Sequence, residues 1–392
     1  VKAVITGAGI GGLTAALCLH HFGHDAIILE RSDSINEVGA GIQISPNAMH
    51  VMRALGLDEM IVAQGFLPRA SQIRIGRNGR ELMANSMAHY PQLYGAPYVH
   101  IHRADLIAIL KEAVQKRLPM ALKTGLHVTG YGQDDKTAFA ILSDDIRIIG
   151  DILIGADGIK STIRTQMHGA EQPRFTGNVA WRAVVPVEHL GRNIPPPNAC
   201  VWLGDGKHAV TYLLRGGNEA NFVGVVEHGD WQDESWTAQG SRRDALADFA
   251  GWHPIITNII QNADNHYRWA LFDRKPLNHW HDGRAVLLGD ASHPMPPFMA
   301  QGAAQAVEDA YVLARRLSEN HLPDAAFQHY YTDRYARTKK VQRQAWDNMR
   351  LFHQGPGLGR IAQHGPLWLA GKTDARIADK ALSWLYGHDV TR

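Results

Sequence analysis

Cysteine is nearly absent from this chain of 392 residues. Only Cys18 and Cys200 occur, far apart and with no neighbouring ligand spacing, so neither a disulfide framework nor a zinc site is indicated and a reducing compartment suits the chain. Both read as core thiols. Long apolar runs are missing too: none reaches the ~18 residues needed to cross a bilayer, so no membrane partner is expected. An excess of one charge sign is also missing. The 40 basic and 38 acidic residues leave a net charge of +2, which gives no electrostatic case for nucleic acid. The apolar start superficially resembles a signal peptide, but it lacks a basic leader and a small-residue cleavage site and so reads as structure. These absences describe a soluble, cytoplasmic, enzyme-sized chain with core enough for roughly two or three domains.

Glycine, by contrast, is plentiful and informatively placed. The chain opens VKAVITGAGIGGLTAALCLHHFGHDAIILER: a β-prone run from Val1 to Thr6, the turn Gly7-Ala8-Gly9-Ile10-Gly11-Gly12, a helical period from Leu13 to Phe22, a stop at Gly23, and a second run from Ala26 to Leu29. This is a dinucleotide fingerprint in full context. Gly7 permits the tight turn, Gly9 lets backbone approach a pyrophosphate, and Gly12 lets helix pack close to strand, while the helix N-terminus offers N–H groups and partial positive charge to the anion. Glu30 closes the second strand, where a carboxylate accepts ribose hydroxyls and repels a 2′-phosphate. The expected ligand is therefore an unphosphorylated ADP moiety, as in FAD or NAD.

Further along, Gly39 to Asn47 is a small-residue loop against which a flat ligand could lie, followed by a helical segment from Ala48 to Leu55. Arg69 to Met83 alternates around Gly76 and Asn78-Gly79 and predicts a hairpin. Arg103 stands near the start of a helix running to about Arg117, where a cation opposes the helix dipole and calls for an anionic neighbour. Two apolar strands end in Asp beside Gly, at Gly155-Ala156-Asp157-Gly158 and at Gly289-Asp290, and open α/β sheets bind ligands at such carboxyl ends. A long, charge-laced helix is expected over 325–353. The Gly355 to Gly359 cluster follows no strand and contains Pro356, so it is not a second nucleotide site, and Trp368 and Trp384 suggest a docked tail or a dimer surface.

The fingerprint with Glu30, the Gly-Ala-Asp-Gly-x-x-Ser-x-x-Arg stretch from Gly155 to Arg164, and Leu287-x-Gly289-Asp290-Ala291-x-His293-Pro294 together resemble the three signatures of single-component, FAD-dependent aromatic hydroxylases. Within that family the likeness is to salicylate, 3-hydroxybenzoate and 6-hydroxynicotinate monooxygenases, and it runs from Val1 to about Asn348. The resemblance implies FAD on Gly7, Gly9, Gly12 and Glu30 with Arg31 beside it. It implies Arg103 on the flavin nucleotide, Asp290 at the ribityl or pyrophosphate region, and Asp157 near both FAD and the NADH or NADPH donor. It also implies that Gly39 to Gln43, with Gly41 and Gln43, and Pro294 to Gly302 line the isoalloxazine.

Between the last two signatures the pattern changes. Asn178 to Val187, Ala199 to Leu203, His208 to Leu214 and Asn221 to Glu227 read as strands, and Ser241 to Ala263 as a helical excursion interrupted at Pro254. The expected fold is thus α/β: a Rossmann-type FAD-binding domain from discontinuous segments, 1–174 and 281–392 with helices at the C-terminus, and an inserted β-sheet substrate domain over 175–280. Period two puts His208, Val210, Tyr212 and Leu214 on one face, with His208 and Tyr212 roughly 13 Å apart. The oxygen a reduced flavin activates is an electrophile, and a phenol becomes a good nucleophile once it loses its proton, so His208 is the candidate base and Tyr212 the candidate substrate contact. The resemblance implies a histidine, in members acting on 6-hydroxynicotinate, at the position held here by Gln43, a departure that argues against that substrate and against a base at that loop. Arg182 and Arg215 are candidates to meet a carboxylate, although alternation points Arg215 away from His208.

The expected function is NAD(P)H- and O2-dependent hydroxylation of a small phenolic or hydroxy-heteroaromatic acid. Three other classes share part of the pattern. A plain NAD-dependent dehydrogenase explains Gly7 to Glu30 but not the late Gly289-Asp290 element; a flavin oxidase or epoxidase on a non-phenolic substrate shares every FAD motif; a non-catalytic flavoprotein binding module shares the fold.

Overall fold

Strand Lys2–Thr6 is apolar on both faces, with Ala3, Val4 and Ile5 fully buried, as a strand covered from both sides must be. The computed structural model, which describes residues 1–35, 40–171, 173–228, 238–353 and 376–392, sets it inside a six-stranded sheet. Across that sheet the order is His281–Asp282, Ala285–Leu287, Ile152–Gly155, Lys2–Thr6, Asp25–Leu29, Leu122–Lys123. All neighbours run parallel except the first pair. Helix Ile10–His21 makes the crossover between the first two strands in sequence and ends before Gly23, whose φ of +80° only glycine adopts without strain. Helix Gly302–Glu319 packs against it. The nucleotide-binding layer is thus assembled from both ends of the chain, as the signatures require.

A second sheet of seven strands lies over this layer, ordered Tyr267–Asp273, Arg174–Pro186, Glu219–Glu227, Lys207–Leu214, Ala199–Gly204, Ala70–Ile75, Glu81–Ser86. The hairpin expected around Gly76 and Gly79 forms, but it belongs to this sheet: Ser71 pairs with Ala199 and Ile75 with Leu203, in parallel. The seven-stranded sheet therefore draws on 70–86 as well as on the strands between 174 and 273. The outer edge of the 199–204 strand would otherwise present unpaired N–H and C=O groups, and a hairpin from far upstream covers it. Local alternation signals a strand; it carries no information about a partner more than a hundred residues away.

Period two sorts the faces as expected. Val179, Trp181, Ala183, Ala209, Leu213, Phe222 and Val226 form one core under helices Arg242–Asp248 and Pro254–Asn262, the excursion interrupted at Pro254. The opposite face holds Ala180 and Val225, packed with Trp269, Phe298, Met299 and Ala345 from outside the central strands. Cross-strand register places Arg182, Val223 and Val210 in one row of that face, Ala180, Val225 and His208 in the next, and Asn221 with Tyr212 in a third. Helix Pro323–Phe352 ends against this face, and helix Arg376–Tyr386 docks on it through Arg337, which donates to the Trp384 carbonyl at 2.9 Å, and Lys340, whose ammonium sits 3.9 Å from the Trp384 ring centre. Gly355 to Gly359 and Trp368 lie outside the described residues. No helix among the described residues is long and apolar enough to cross a membrane.

Candidate active site

The three fingerprint glycines do different things. Gly7 has φ +97°, and a Cβ there would lie 2.6 Å from the Ala156 carbonyl oxygen; one on Gly12 would lie 2.0 Å from the Gly7 carbonyl oxygen. Both are closed by backbone. A Cβ on Gly9 would meet nothing within 4 Å, so the backbone at the helix N-terminus faces open space and carries no side-chain cap. Glu30 braces the turn: its Oε2 accepts the Ala8 N–H at 2.9 Å and its Oε1 the Ser32 N–H at 3.0 Å. Arg31 beside it is exposed.

Asp157 sits against that turn, its Cα 3.2 Å from where a Gly7 Cβ would be. Its Oδ2 accepts the N–H groups of Thr162 (2.8 Å) and Ile163 (3.2 Å), so with Ser161 it caps helix Thr162–His168. Its Oδ1 is buried without a partner among the described residues, and burial raises its pKa. Asp290 has the other character. It is solvent-accessible yet desolvated by the protein around it, the position of a group on a cleft wall, and that desolvation pushes its pKa up against the charges of His293 and Arg103. Arg103, first residue of helix Arg103–Arg117, thus has its anionic neighbour. Gly302 opens the helix on the far side, with its Cβ position 3.8 Å from Asp290 Oδ1.

Beneath Asp290 lies a buried ionic cluster that sequence reading missed. Asp309 accepts from the Gly289 N–H (3.1 Å) and from Arg334 Nε (2.7 Å), and its Oδ2 meets His293 Nε2 at 2.5 Å. Glu308 pairs with Arg334 and with Arg337, and Asn47 donates to it at 2.5 Å. Burial alone would raise the Glu308 pKa; the two guanidiniums outweigh it and hold the group at about 2. The cluster ties the 289–301 loop to both long helices and to the 45–47 turn. Its one sequence signal was an acidic pair, Glu308-Asp309, in a helix otherwise rich in alanine.

At the other end, Gly41 lies flat against Tyr212: a Cβ would come within 2.5 Å of the ring, and the Gly41 N–H donates to Asn221 Oδ1 at 2.8 Å. Tyr212 packs on His100, with ring centres 4.6 Å apart, and His100 pairs across the ladder with Gln43. Gln43 Oε1 accepts the Tyr98 hydroxyl at 2.6 Å. Burial drives the His100 pKa down to about 3 and the Tyr212 pKa up. His208, in the adjacent row but one, meets the other loop: its ring lies 5.5 Å from that of Phe298, and its Nδ1 is 2.7 Å from His353 Nε2. Burial, then His353, holds its pKa well below 6.5, so it is a neutral imidazole. Arg182 is buried on the same face with Trp269 5.1 Å away, close enough for its charge to act on Tyr212. Arg215 is engaged elsewhere, in paired bonds to Asp105 (both 2.9 Å) and one to Glu219 (2.8 Å). Gly41 to Gln43 and Pro294 to Gly302 therefore close on one sheet face, at the Tyr212 and His208 ends respectively; Gly39 lies outside the described residues.

Residues 1–345 match the family model described as FAD binding domain. The chain belongs to that family. Its relatives include 3-hydroxybenzoate 6-hydroxylase 1 of Aquipseudomonas alcaligenes, 35% identical over 388 residues that cover 99% of this chain and 98% of the relative. The 6-hydroxynicotinate 3-monooxygenase of Bordetella bronchiseptica is 36% identical over 355 residues, 89% of this chain and 92% of the relative. Among solved structures, Klebsiella pneumoniae HpxO complexed with FAD and uric acid superposes with a TM-score of 0.86 at 27% identity, covering 97% of this chain and 95% of that one. A salicylate hydroxylase substrate complex gives 0.81 at 25% identity over 100% of this chain and 96% of that one. This FAD-binding family member is an FAD-dependent monooxygenase, and the likeness along the whole chain removes the plain dehydrogenase and the non-catalytic module.

Proposed function

We propose that the enzyme hydroxylates a small phenolic or hydroxy-heteroaromatic acid, with O2 and NADH or NADPH as co-substrates, in the space between the Gly41 to Gln43 and Pro294 to Gly302 loops and the seven-stranded sheet. The observation that carries this is the convergence of both loops on one sheet face that combines apolar walls with a neutral histidine, a tyrosine and a buried arginine. We assign the substrate domain to 175–280 together with the 70–86 hairpin.

The residues present fit FAD. The open ground at Gly9 and the N-terminus of helix 10–21 suit a pyrophosphate, Glu30 a ribose, the cleft-wall carboxylate of Asp290 a hydroxylated chain, and the Asp157 oxygen has capacity for a further donor. Arg103, Arg31, Gly41, Gln43 and Gly302 complete the set. When bound, FAD supplies the redox chemistry that takes electrons from the nicotinamide and activates O2. The chain's own residues do the rest. His208 accepts the substrate's hydroxyl proton, since it is neutral and has an imidazole nitrogen to offer, whereas the Gln43 amide cannot take a proton and Tyr212, its pKa raised by burial, remains a donor. Arg182 faces the carboxylate. Val210, Val223, Val225, Phe298 and Met299 exclude water from the reacting atoms. The relatives named for 3-hydroxybenzoate and 6-hydroxynicotinate define the substrate class; Gln43 favours the benzoate side of it.

The same reading takes the balanced charge and the two buried thiols to mean a cytoplasmic enzyme without nucleic-acid or membrane partners. It includes a homodimer, which light scattering tests, with the C-terminal tail either packed on its own chain or part of the dimer surface. The function is tested by reconstituting the protein with FAD and measuring NAD(P)H oxidation with salicylate, 3-hydroxybenzoate and 6-hydroxynicotinate, with product and peroxide quantified together. A hydroxylated product from at least one acid is expected. Flavin binding with no product from any of them, or stimulation that yields only peroxide, would sink the substrate class and turn attention to a non-phenolic oxidase or epoxidase.

A further inference from the structure

A base buried as deeply as His208 cannot hand its proton to bulk water directly: the residue is 2% exposed. Its neighbours across the sheet are Leu203 and Val225, and Phe298 and Phe352 pack on its ring at 5.5 and 5.2 Å, so none of these can receive a proton. His353 can. It is the one neighbour among the described residues whose ring nitrogen lies within hydrogen-bond reach of the His208 ring, and Glu227 stands in the same relation to His353.

These three side chains come from three elements and stand in line. His208 Nδ1 is 2.7 Å from His353 Nε2, and His353 Nδ1 is 2.9 Å from Glu227 Oε1, whose side chain is 56% exposed. The turn between the 199–204 and 207–214 strands clamps the arrangement: the Gly206 N–H donates to the His353 carbonyl at 3.2 Å, and the Gly206 carbonyl accepts the Glu227 N–H at 2.9 Å. The tautomers follow from the far end. An ionised carboxylate only accepts, so His353 carries its hydrogen on Nδ1; its Nε2 is then the acceptor, so His208 donates from Nδ1 and keeps a lone pair on Nε2. The line thus poises His208 to receive a proton on the nitrogen that does not face His353.

We propose that His353 and Glu227 form an exit line that carries the substrate's hydroxyl proton from His208 to solvent. This rests on the hydroxylase reading above. The substrate O–H bond breaks as an N–H bond forms at His208 Nε2; the His208 Nδ1–H bond breaks as His353 Nε2–H forms; the His353 Nδ1–H bond breaks as the proton passes to the Glu227 carboxylate and on to water. No electrons change hands. The line resets when the aromatic product regains a proton along it. His353 and Glu227 act through His208 and are positioning residues, set at the point where a helix from the nucleotide-binding part reaches the substrate sheet.

The test uses the oxidised holoenzyme, so that no turnover intervenes. Mixing it with 3-hydroxybenzoate or 6-hydroxynicotinate in weakly buffered solution containing a pH indicator should release a proton in a rapid phase. In His353→Gly that phase should slow by roughly tenfold or more, on the low side of what losing a proton-transfer group costs, and added imidazole should restore it. Release at the wild-type rate in the variant, or a slowed phase that imidazole leaves unchanged, overturns the exit line. A second readout needs neither variant nor ligand: ¹⁵N spectra of the histidine-labelled wild-type holoenzyme should show His208 and His353 both protonated on Nδ1. A hydrogen on His353 Nε2 overturns the proposal. Should neither acid release a proton from wild type, the substrate reading fails while the tautomers still decide the line.

Discussion

Asp157 and Asp290 look alike in the sequence, each an aspartate beside glycine at the end of an apolar strand. Their surroundings separate them. Asp157 spends one oxygen on two N–H groups of a helix, whereas Asp290 stands on a cleft wall with Arg103 for company. Asp157→Ala should therefore cost stability, about 1 kcal/mol for a lost cap, and weaken FAD retention less than Asp290→Ala does. Asp290→Ala should loosen FAD by about 1.5–3 kcal/mol, the scale of a lost charged hydrogen bond, with the apo-protein's melting temperature little changed. Flavin absorbance per protein and thermal unfolding of both variants check this, and equal full occupancy would remove the role given to Asp290. For His208→Ala, hydroxylation should fall about a hundredfold while flavin reduction continues, with the missing product recovered as hydrogen peroxide. Wild-type coupling in that variant would make His208 structural.

Among the elements, the strand and helix of the nucleotide end were legible because each has a local cause: a continuous apolar run, a glycine whose φ no other residue takes easily, a period of 3.6. The hairpin around Gly76 was legible as a hairpin and illegible as part of the substrate sheet, since its partner strand begins at Ala199. His353 was invisible as a partner of His208 for the same reason, being 145 residues away. The Glu308, Asp309, Arg334 and Arg337 cluster escaped because a helix packed on two sides has no polar stripe to flag a buried charge. That cluster makes its own prediction. Arg334 is 1% exposed, so Arg334→Ala leaves two carboxylates buried with reduced compensation and should cost about 3–5 kcal/mol, where a surface pair would cost less than about 1. Because the Gly289 N–H also leans on Asp309, the loss should appear as weaker FAD retention together with a melting temperature lower by roughly 4–6 °C. A shift under ~2 °C would mean that water or a local rearrangement compensates the charges.

The molecule as a whole should weaken as the solution is acidified, and in two stages. His100 and His208 are kept neutral in the fold, with pKa values below the ordinary 6.5 and near 3 for His100. The unfolded chain binds protons at these positions below pH 6.5 and the folded chain does not, so their contribution is whole above 6.5 and is lost as pH falls toward 3, at about 1.4 kcal/mol per pH unit for each group. Glu308, lowered from 4.5 to about 2, adds a second loss between those values. Melting temperature against pH should be level above 7 and fall progressively below 6.5; a flat profile down to pH 5 would show that the histidines take up protons in place. The sheet order has a different consequence, for the chain's birth. Strand Lys2–Thr6 and its neighbour at 25–29 are made well before the other neighbour at 152–155 and the 285–287 strand beyond it. At ~5–20 residues per second the wait for that last strand is on the order of 15–60 s. Until 152–155 is made the apolar strand has only its 25–29 neighbour beside it and its other edge stays open, and flavin can assist folding only after the 285–287 strand has been made.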